Sequence, residues 1–210
     1  MTPNLVRRIQ IYTDFDGTIT DRDSIVLLVE EFGEGARLRH DLLKEFENGN
    51  LSPAQVIEGE LASVSVSWEE AAIGLQRQIR VDPSFPAFVD WCKEEQIPLC
   101  VLSSGLRDIV SLFIGHLGVP IFAHSADIDP NGWRYHRDPA SEKETLVQAR
   151  RGGDKTIFVG DGISDISVLP HVDILFAKSY LARHCEAQGI DFIPFETFRD
   201  IQDRLEEGLV

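Results

Sequence analysis

Residues 14–18 read Asp-Phe-Asp-Gly-Thr: two carboxylates two apart, then a glycine and a hydroxyl, directly after the strand-like run Arg8 to Thr13. In extended chain, carboxylates at that spacing project to one face and repel unless a cation or a shared proton lies between them. This is a place for metal and phosphate chemistry. Gly17 frees the backbone to turn, and Thr18 offers a hydroxyl to an anionic ligand or to the turn itself. An acidic surface turn capping a helix has the same letters, so the rest of the chain must decide.

Two further polar loops follow apolar runs. Pro98 to Leu102 leads into Ser103-Ser104-Gly105, whose hydroxyls and free amides ahead of a helix suit a phosphate oxygen, or simply a loop and an N-cap. Thr156 to Val159 leads into Gly160-Asp161-Gly162-Ile163-Ser164-Asp165, which adds two carboxylates four apart. Lys143 lies in Ser141-Glu142-Lys143-Glu144, a capping box that places a lysine in the first helical turn, against the dipole. A nearby anion would compensate; a solvated lysine between glutamates is the plainer reading. Together Asp14, Asp16, Asp161 and Asp165 form an all-oxygen donor set of the kind Mg²⁺ takes.

Other chemistries fit the letters poorly. Gly160-x-Gly162 opens like a dinucleotide fingerprint, but Asp165 stands where the third glycine belongs and its charge would face a pyrophosphate. Cys100 and Arg107 flank a loop as in thiol phosphatases, yet Cys100 lies inside an apolar run, where a thiol is inert. Gly153-Asp154-Lys155-Thr156 breaks the P-loop pattern with an acid before the lysine, and the six histidines show no metal-ligand spacing.

The elements that must position these loops alternate. Three apolar runs, each ending in one of the polar loops, read as buried strands. Helical patterns over Leu106 to Leu117, Ser141 to Arg151, Asp165 to His171 and Tyr180 to Gln188 are long enough to cross between parallel strands. The expected class is α/β, a Rossmann-like three-layer parallel sheet. Ligands of such sheets bind beyond the carboxyl ends of the strands, so the three loops are expected to meet in one pocket. Residues 23–82 break the alternation and read as consecutive helices, with starts at Ser52-Pro53-Ala54-Gln55 and Ser67-Trp68-Glu69-Glu70. Ile121 to His136, with Asp129-Pro130-Asn131-Gly132 inside it, reads as a hairpin.

Composition bounds the partners. Lys and Arg number 20 against 35 Asp and Glu, a net charge of -15, which disfavours nucleic acid and requires local cations wherever a phosphorylated metabolite binds. Three cysteines without CxxC spacing argue against a disulfide framework and against zinc. No signal-peptide core or membrane-length apolar run appears, so a cytoplasmic protein without a membrane partner is expected. Nothing in the sequence indicates an oligomeric state.

Asp14-x-Asp16-Gly17-Thr18, Ser103 after the second strand, Lys143, and Gly160-Asp161-x-x-x-Asp165 follow the order of the haloacid dehalogenase superfamily, which the chain resembles over nearly its full length. The resemblance implies a catalytic core of residues 1–22 and 83–210 with a helical cap at 23–82. That cap resembles the one in the subgroup holding phosphoserine phosphatases. Asp14 to Asp23, Phe88 to Leu102 and Asp173 to Phe195 are most similar to the methionine-salvage phosphatases acting on 2-hydroxy-3-keto-5-methylthiopentenyl-1-phosphate. The chain departs from both: Ser104 replaces the usual glycine, a cysteine-rich insertion is missing ahead of Lys143, and Asp23 stands where phosphoserine phosphatases carry glutamate.

By the same resemblance, Asp14 is the nucleophile that forms an aspartyl-phosphate and Asp16 is the general acid and base. Mg²⁺ is held by Asp14, the Asp16 carbonyl and Asp161, while Asp165 orients metal waters and Lys143. Thr18, Ser103, Ser104, Gly105 and Lys143 hold the phosphate of a small phosphorylated metabolite. Arg22, Arg37 and Lys44 are unranked candidates for contacts from the cap. A phospho-acceptor signalling domain shares the acidic cluster and lysine, but has no need of Asp16 or of the helical insertion.

Overall fold

The computed structural model describes residues 9–149 and 155–208. Arg8, the end of the helix expected to reach Arg151, and Gly153-Asp154 lie outside them. Seven strands form one sheet in the order β4-β3-β2-β1-β5-β6-β7. They are β1 (Ile9–Thr13), β2 (Leu99–Leu106), β3 (Ile121–Asp127), β4 (Arg134–His136), β5 (Lys155–Gly160), β6 (Ile174–Ala177) and β7 (Ile193–Pro194). All pairs are parallel except β3 with β4. The registers Thr13↔Val101 and Thr13↔Val159 bring the ends of β2 and β5 level with the end of β1 on either side.

Alternation along these strands builds two cores. Ile11, Val101, Ile157 and Val159 face one way, against Phe88 of α5 (Phe85–Glu94), Ile109 and Val110 of α6 (Arg107–Ile114) and Phe198 of α9 (Phe198–Glu206). Tyr12, Cys100, Leu102 and Phe158 face the other way, against Val147 of α7 (Lys143–Ala149) and Leu181 and Cys185 of α8 (Ser179–Gln188). A period of two thus makes three layers from apolar runs.

Between β1 and α5 the chain forms α1 (Ser24–Phe32), α2 (Gly35–Glu47), α3 (Pro53–Ala62) and α4 (Trp68–Gln78). Both expected capping boxes form, Ser52 with Gln55 and Ser67 with Glu70. Where the chain leaves the sheet and returns, Thr20 bridges Val81; the Asp21 N–H donates to the Arg80 carbonyl at 3.0 Å and the Asp82 N–H to the Ile19 carbonyl at 2.8 Å. The β3–β4 hairpin reaches this segment. The Trp133 backbone N–H donates to the Leu61 carbonyl at 3.1 Å, its indole Nε1–H donates to the Val66 carbonyl at 2.9 Å, and its ring tilts against Trp68.

Three local expectations change. Ser103-Ser104-Gly105 is not a helix-leading loop: β2 continues to Leu106 with a register shift against β3, because the open flank of the strand has a partner there. The box at Ser141 does not form, since its hydroxyl donates to Asp138 at 2.8 Å within a 3-10 turn over Pro139–Ser141, and α7 starts at Lys143. Residues Ile163–His171 are 3-10 rather than α, ending over Pro170. All three cysteines are buried, and among the described residues none forms a disulfide. Among the described residues no helix is long and apolar enough to cross a membrane.

Candidate active site

The end of β1 fixes Asp14, whose N–H donates to the Val159 carbonyl of β5 at 2.9 Å. Its carboxylate is almost wholly buried, and Lys143 Nζ donates to Oδ1 at 2.6 Å. The same ammonium donates to Asp165 Oδ1 at 2.6 Å and to Ser164 Oγ at 3.1 Å. Asp165, fully buried, accepts on Oδ2 from the Asp161 and Gly162 amides at 3.1 and 3.0 Å, which folds the loop after β5 back on itself. Asp161 completes the group: oxygens of Asp14, Asp161 and Asp165 lie within 4.8 Å of one another. Thr18 Oγ1 donates to Asp161 at 3.1 Å. The lysine at the start of α7 is therefore held by anions, which offset its cost at a helix N-terminus.

Asp14 and Asp16 do not share a face. The chain leaves the strand at Thr13 and turns, with the Phe15 carbonyl accepting from the Thr18 and Ile19 amides. Asp16 consequently points toward α1, accepting from the Ser24 N–H at 2.8 Å, and its side chain is not part of the three-carboxylate group. The Ser24 hydroxyl is buried beside this carboxylate. On its other flank Asp16 meets Gly105, where a Cβ would fall 3.1 Å from Oδ2. Ser103, buried, accepts from the Gly105 N–H at 3.0 Å, and the Ser104 carbonyl accepts from the Tyr135 hydroxyl at 3.4 Å.

Burial dominates the electrostatics. It raises the Asp14 carboxyl well above its ordinary range; Lys143 opposes this while Asp165 and Asp161 add to it. Burial and then Asp165 raise Asp161 to about 6, against Thr18 and Lys143. Burial and then Asp23 raise Asp16 to about 7, against the Ser24 amide and the Ser24 hydroxyl. For Lys143 burial works against the charge, but Asp14 and Asp165 outweigh it and hold the ammonium protonated. Three carboxylates around one ammonium leave a buried excess of negative charge. The donor set is oxygen only and held rigidly, which fits a hard divalent cation such as Mg²⁺.

Four residues that the sequence reading passes over carry no motif to mark them. Lys178, directly after β6, donates to the Thr18 carbonyl at 3.2 Å and to the Glu196 carbonyl at 3.5 Å, and lies over the Phe195 ring. Its place at a fourth strand end was the available signal. Arg39 and Glu60 form a partly buried ion pair of 2.9 Å between α2 and α3. Ser24 is simply the first residue of α1. By contrast Arg22 is exposed and donates to Gln78, and Arg37 and Lys44 are exposed.

A mostly parallel sheet with helices inserted after its first strand is the fold that phosphoserine phosphatases share. The structure described as a phospho-aspartyl intermediate analogue of phosphoserine phosphatase superposes with a TM-score of 0.72 at 18% identity, covering 96% of this chain and 98% of that one. A family model for haloacid dehalogenase-like hydrolases matches residues 11–170, and the chain belongs to that family. It is 33% identical to Pdp3-interacting factor 1 of Schizosaccharomyces pombe, over 96% of both chains. It is 28% identical to polyol phosphate phosphatase PYP1 of Saccharomyces cerevisiae, over 95% and 93% of the two chains. It is also 28% identical to 2-hydroxy-3-keto-5-methylthiopentenyl-1-phosphate phosphatase of Geobacillus kaustophilus, over 96% and 97%. The phosphatases among these relatives place it with the phosphoric monoester hydrolases of the family.

Proposed function

We propose that the protein is a Mg²⁺-dependent phosphomonoesterase that hydrolyses a small phosphorylated metabolite through an aspartyl-phosphate on Asp14. The observation that carries this reading is the double pairing of buried Lys143 with Asp14 and Asp165, which fixes one oxygen of Asp14 and leaves the other for attack. Asp14 Oδ2 forms a bond to phosphorus as the bond to the leaving oxygen breaks, and Asp16 delivers a proton to that oxygen. A carboxyl raised to about 7 is protonated often enough near neutrality to serve. Asp16, now ionised, takes a proton from the water that attacks the aspartyl-phosphate, which releases phosphate and restores both carboxyls.

Asp14, Asp161 and the Asp16 carbonyl would hold the Mg²⁺, with Asp165 orienting its waters; when bound, the ion neutralises phosphate oxygens. Ser103 accepts from Gly105 and so keeps its own proton for a phosphate oxygen. Lys143 and the Ser104 and Gly105 backbone complete the grip, and Thr18 acts through Asp161. In this reading residues 23–82 are a cap over a core of 1–22 and 83–210, excluding water during the reaction. The relatives' names offer two substrate types, a polyol phosphate and the methylthiopentenyl phosphate of methionine salvage. A persistent phospho-acceptor is disfavoured by Asp16, which speeds hydrolysis.

Asp14→Asn is expected to lower kcat for p-nitrophenyl phosphate by at least about 1,000-fold with an unchanged circular dichroism spectrum. Chelation followed by dialysis is expected to abolish wild-type turnover, and Mg²⁺ to restore it. Full activity in the Asp14 variant overturns the reading.

A further inference from the structure

Directly after β6 the chain makes a forced turn. Ser179 takes φ +52°, a left-handed conformation that is costly for a residue with a side chain and persists only where the surroundings hold it. The loop after β5 does the holding. The Lys178 N–H donates to the Gly160 carbonyl at 3.2 Å, and the Leu181 N–H donates to the Asp161 carbonyl at 2.8 Å. The junction of β6 and α8 thus grips the backbone of Asp161 and of the residue before it.

That junction sets Lys178, half-buried, on the turn after β1. Its ammonium donates to the Thr18 carbonyl at 3.2 Å and to the Glu196 carbonyl beyond β7 at 3.5 Å, and lies 4.9 Å from the centre of the Phe195 ring. Burial works against the charge, and both hydrogen bonds go to carbonyls rather than carboxylates. The turn so held is a tight unit, in which the Phe15 carbonyl accepts from the Thr18, Ile19 and Thr20 amides. It also places both oxygens of Asp161. Thr18 Oγ1 donates to Oδ1 at 3.1 Å, and Gly17 lies so close that a Cβ there would fall 2.4 Å from Oδ2.

We propose that Lys178 is a positioning residue for the metal: by holding the Thr18 carbonyl it fixes the turn against Asp161, which keeps the oxygens of Asp14, Asp161 and Asp165 within 4.8 Å of one another. This deepens, and rests on, the phosphomonoesterase reading above. Lys178 acts through Thr18 and not on the reacting atoms. Its charge alone works the other way, because a cation beside the site repels a second cation. Geometry and charge therefore give opposite signs for the effect of its removal on metal affinity.

Mn²⁺ binding, followed by electron paramagnetic resonance without substrate, separates the two. Lys178→Met keeps the stem over Phe195 and removes the donor; its Kd for Mn²⁺ is expected to rise about tenfold. Lys178→Arg restores a donor and is expected to stay within about threefold of wild type. Thr18→Val cuts the same path at Asp161, so adding Lys178→Met to it is expected to raise Kd by less than about twofold more. Unfolded molecules reduce the number of sites but not the Kd of folded ones. Should Lys178→Met not fold, Lys178→Gln carries the same expectation. With wild-type turnover of p-nitrophenyl phosphate intact, three results overturn this proposal alone: a Kd unchanged or lowered in Lys178→Met, a Lys178→Arg as weak as Lys178→Met, or a full tenfold loss on top of Thr18→Val. No Mn²⁺ binding and no turnover by the wild type overturn the phosphomonoesterase reading and this one with it.

Discussion

At Gly160 one methyl group is enough to disturb the candidate site. A Cβ there would lie 2.5 Å from Asp165 Oδ2 and 2.8 Å from Phe158 Cε1. Asp165 cannot yield, being held by two amides and Lys143. Gly160→Ala is expected to cost about 1–3 kcal/mol of stability. It should also lower kcat by about 100-fold, because the lysine loses its fixed partner; thermal melts and steady-state kinetics measure both. Charge gives a second prediction. Asp161 titrates at about 6 in the folded protein, above its ordinary value near 3.8. The folded state therefore binds more protons between those values, and stability falls as pH rises through about 4 to 6. In the metal-free protein, Asp161→Asn is expected to remove this part of the pH dependence, leaving the variant more stable relative to wild type at pH 7 than at pH 4. Urea unfolding at the two pH values checks it.

Among the elements, the hairpin matters beyond its own strands. Trp133→Phe keeps the ring contact with Trp68 but strips the Val66 carbonyl of its donor, and an expected loss of about 1–2 kcal/mol follows, measured by denaturant unfolding. The hairpin itself was legible in Asp129-Pro130-Asn131-Gly132, because turn chemistry is local: the Asn131 and Gly132 amides bond back to Asp129. Its docking on the end of α3 and the turn beyond it was not, since Trp133 and Val66 are 67 residues apart in sequence. The strands were visible as apolar runs, and their loops as polar ends. What misled was competition between neighbours. Ser141 carries the letters of a cap but finds Asp138 first, and Ser103 to Gly105 look like a loop until β3 supplies a partner for the strand. Asp14 and Asp16 likewise diverge because the turn begins one residue sooner than the strand argument assumed. Arg39 and Glu60 were hidden for a simpler reason: a paired charge in an apolar stripe looks, in sequence, like any surface charge.

For the molecule as a whole, a net charge of -15 surrounds a site proposed to take an anion. Long-range repulsion slows encounter, and salt screens it over a Debye length of about 10 Å at 0.1 M. With Mg²⁺ saturating, kcat/KM for p-nitrophenyl phosphate is expected to rise as NaCl increases from about 10 to about 150 mM, whereas steered enzymes slow under the same change. A fall across that range would show that local cations dominate the approach. The paired crossing at Thr20 and Val81 has a topological consequence as well. Its two ends are adjacent and hydrogen-bonded, so the sheet is wired as though Ile19 were followed by Asp82, and the length between them adds little to the entropy of closing the core. The 62 residues between are a detour rather than a span: the segment can lengthen, shorten or diverge without moving the strands that carry the carboxylates.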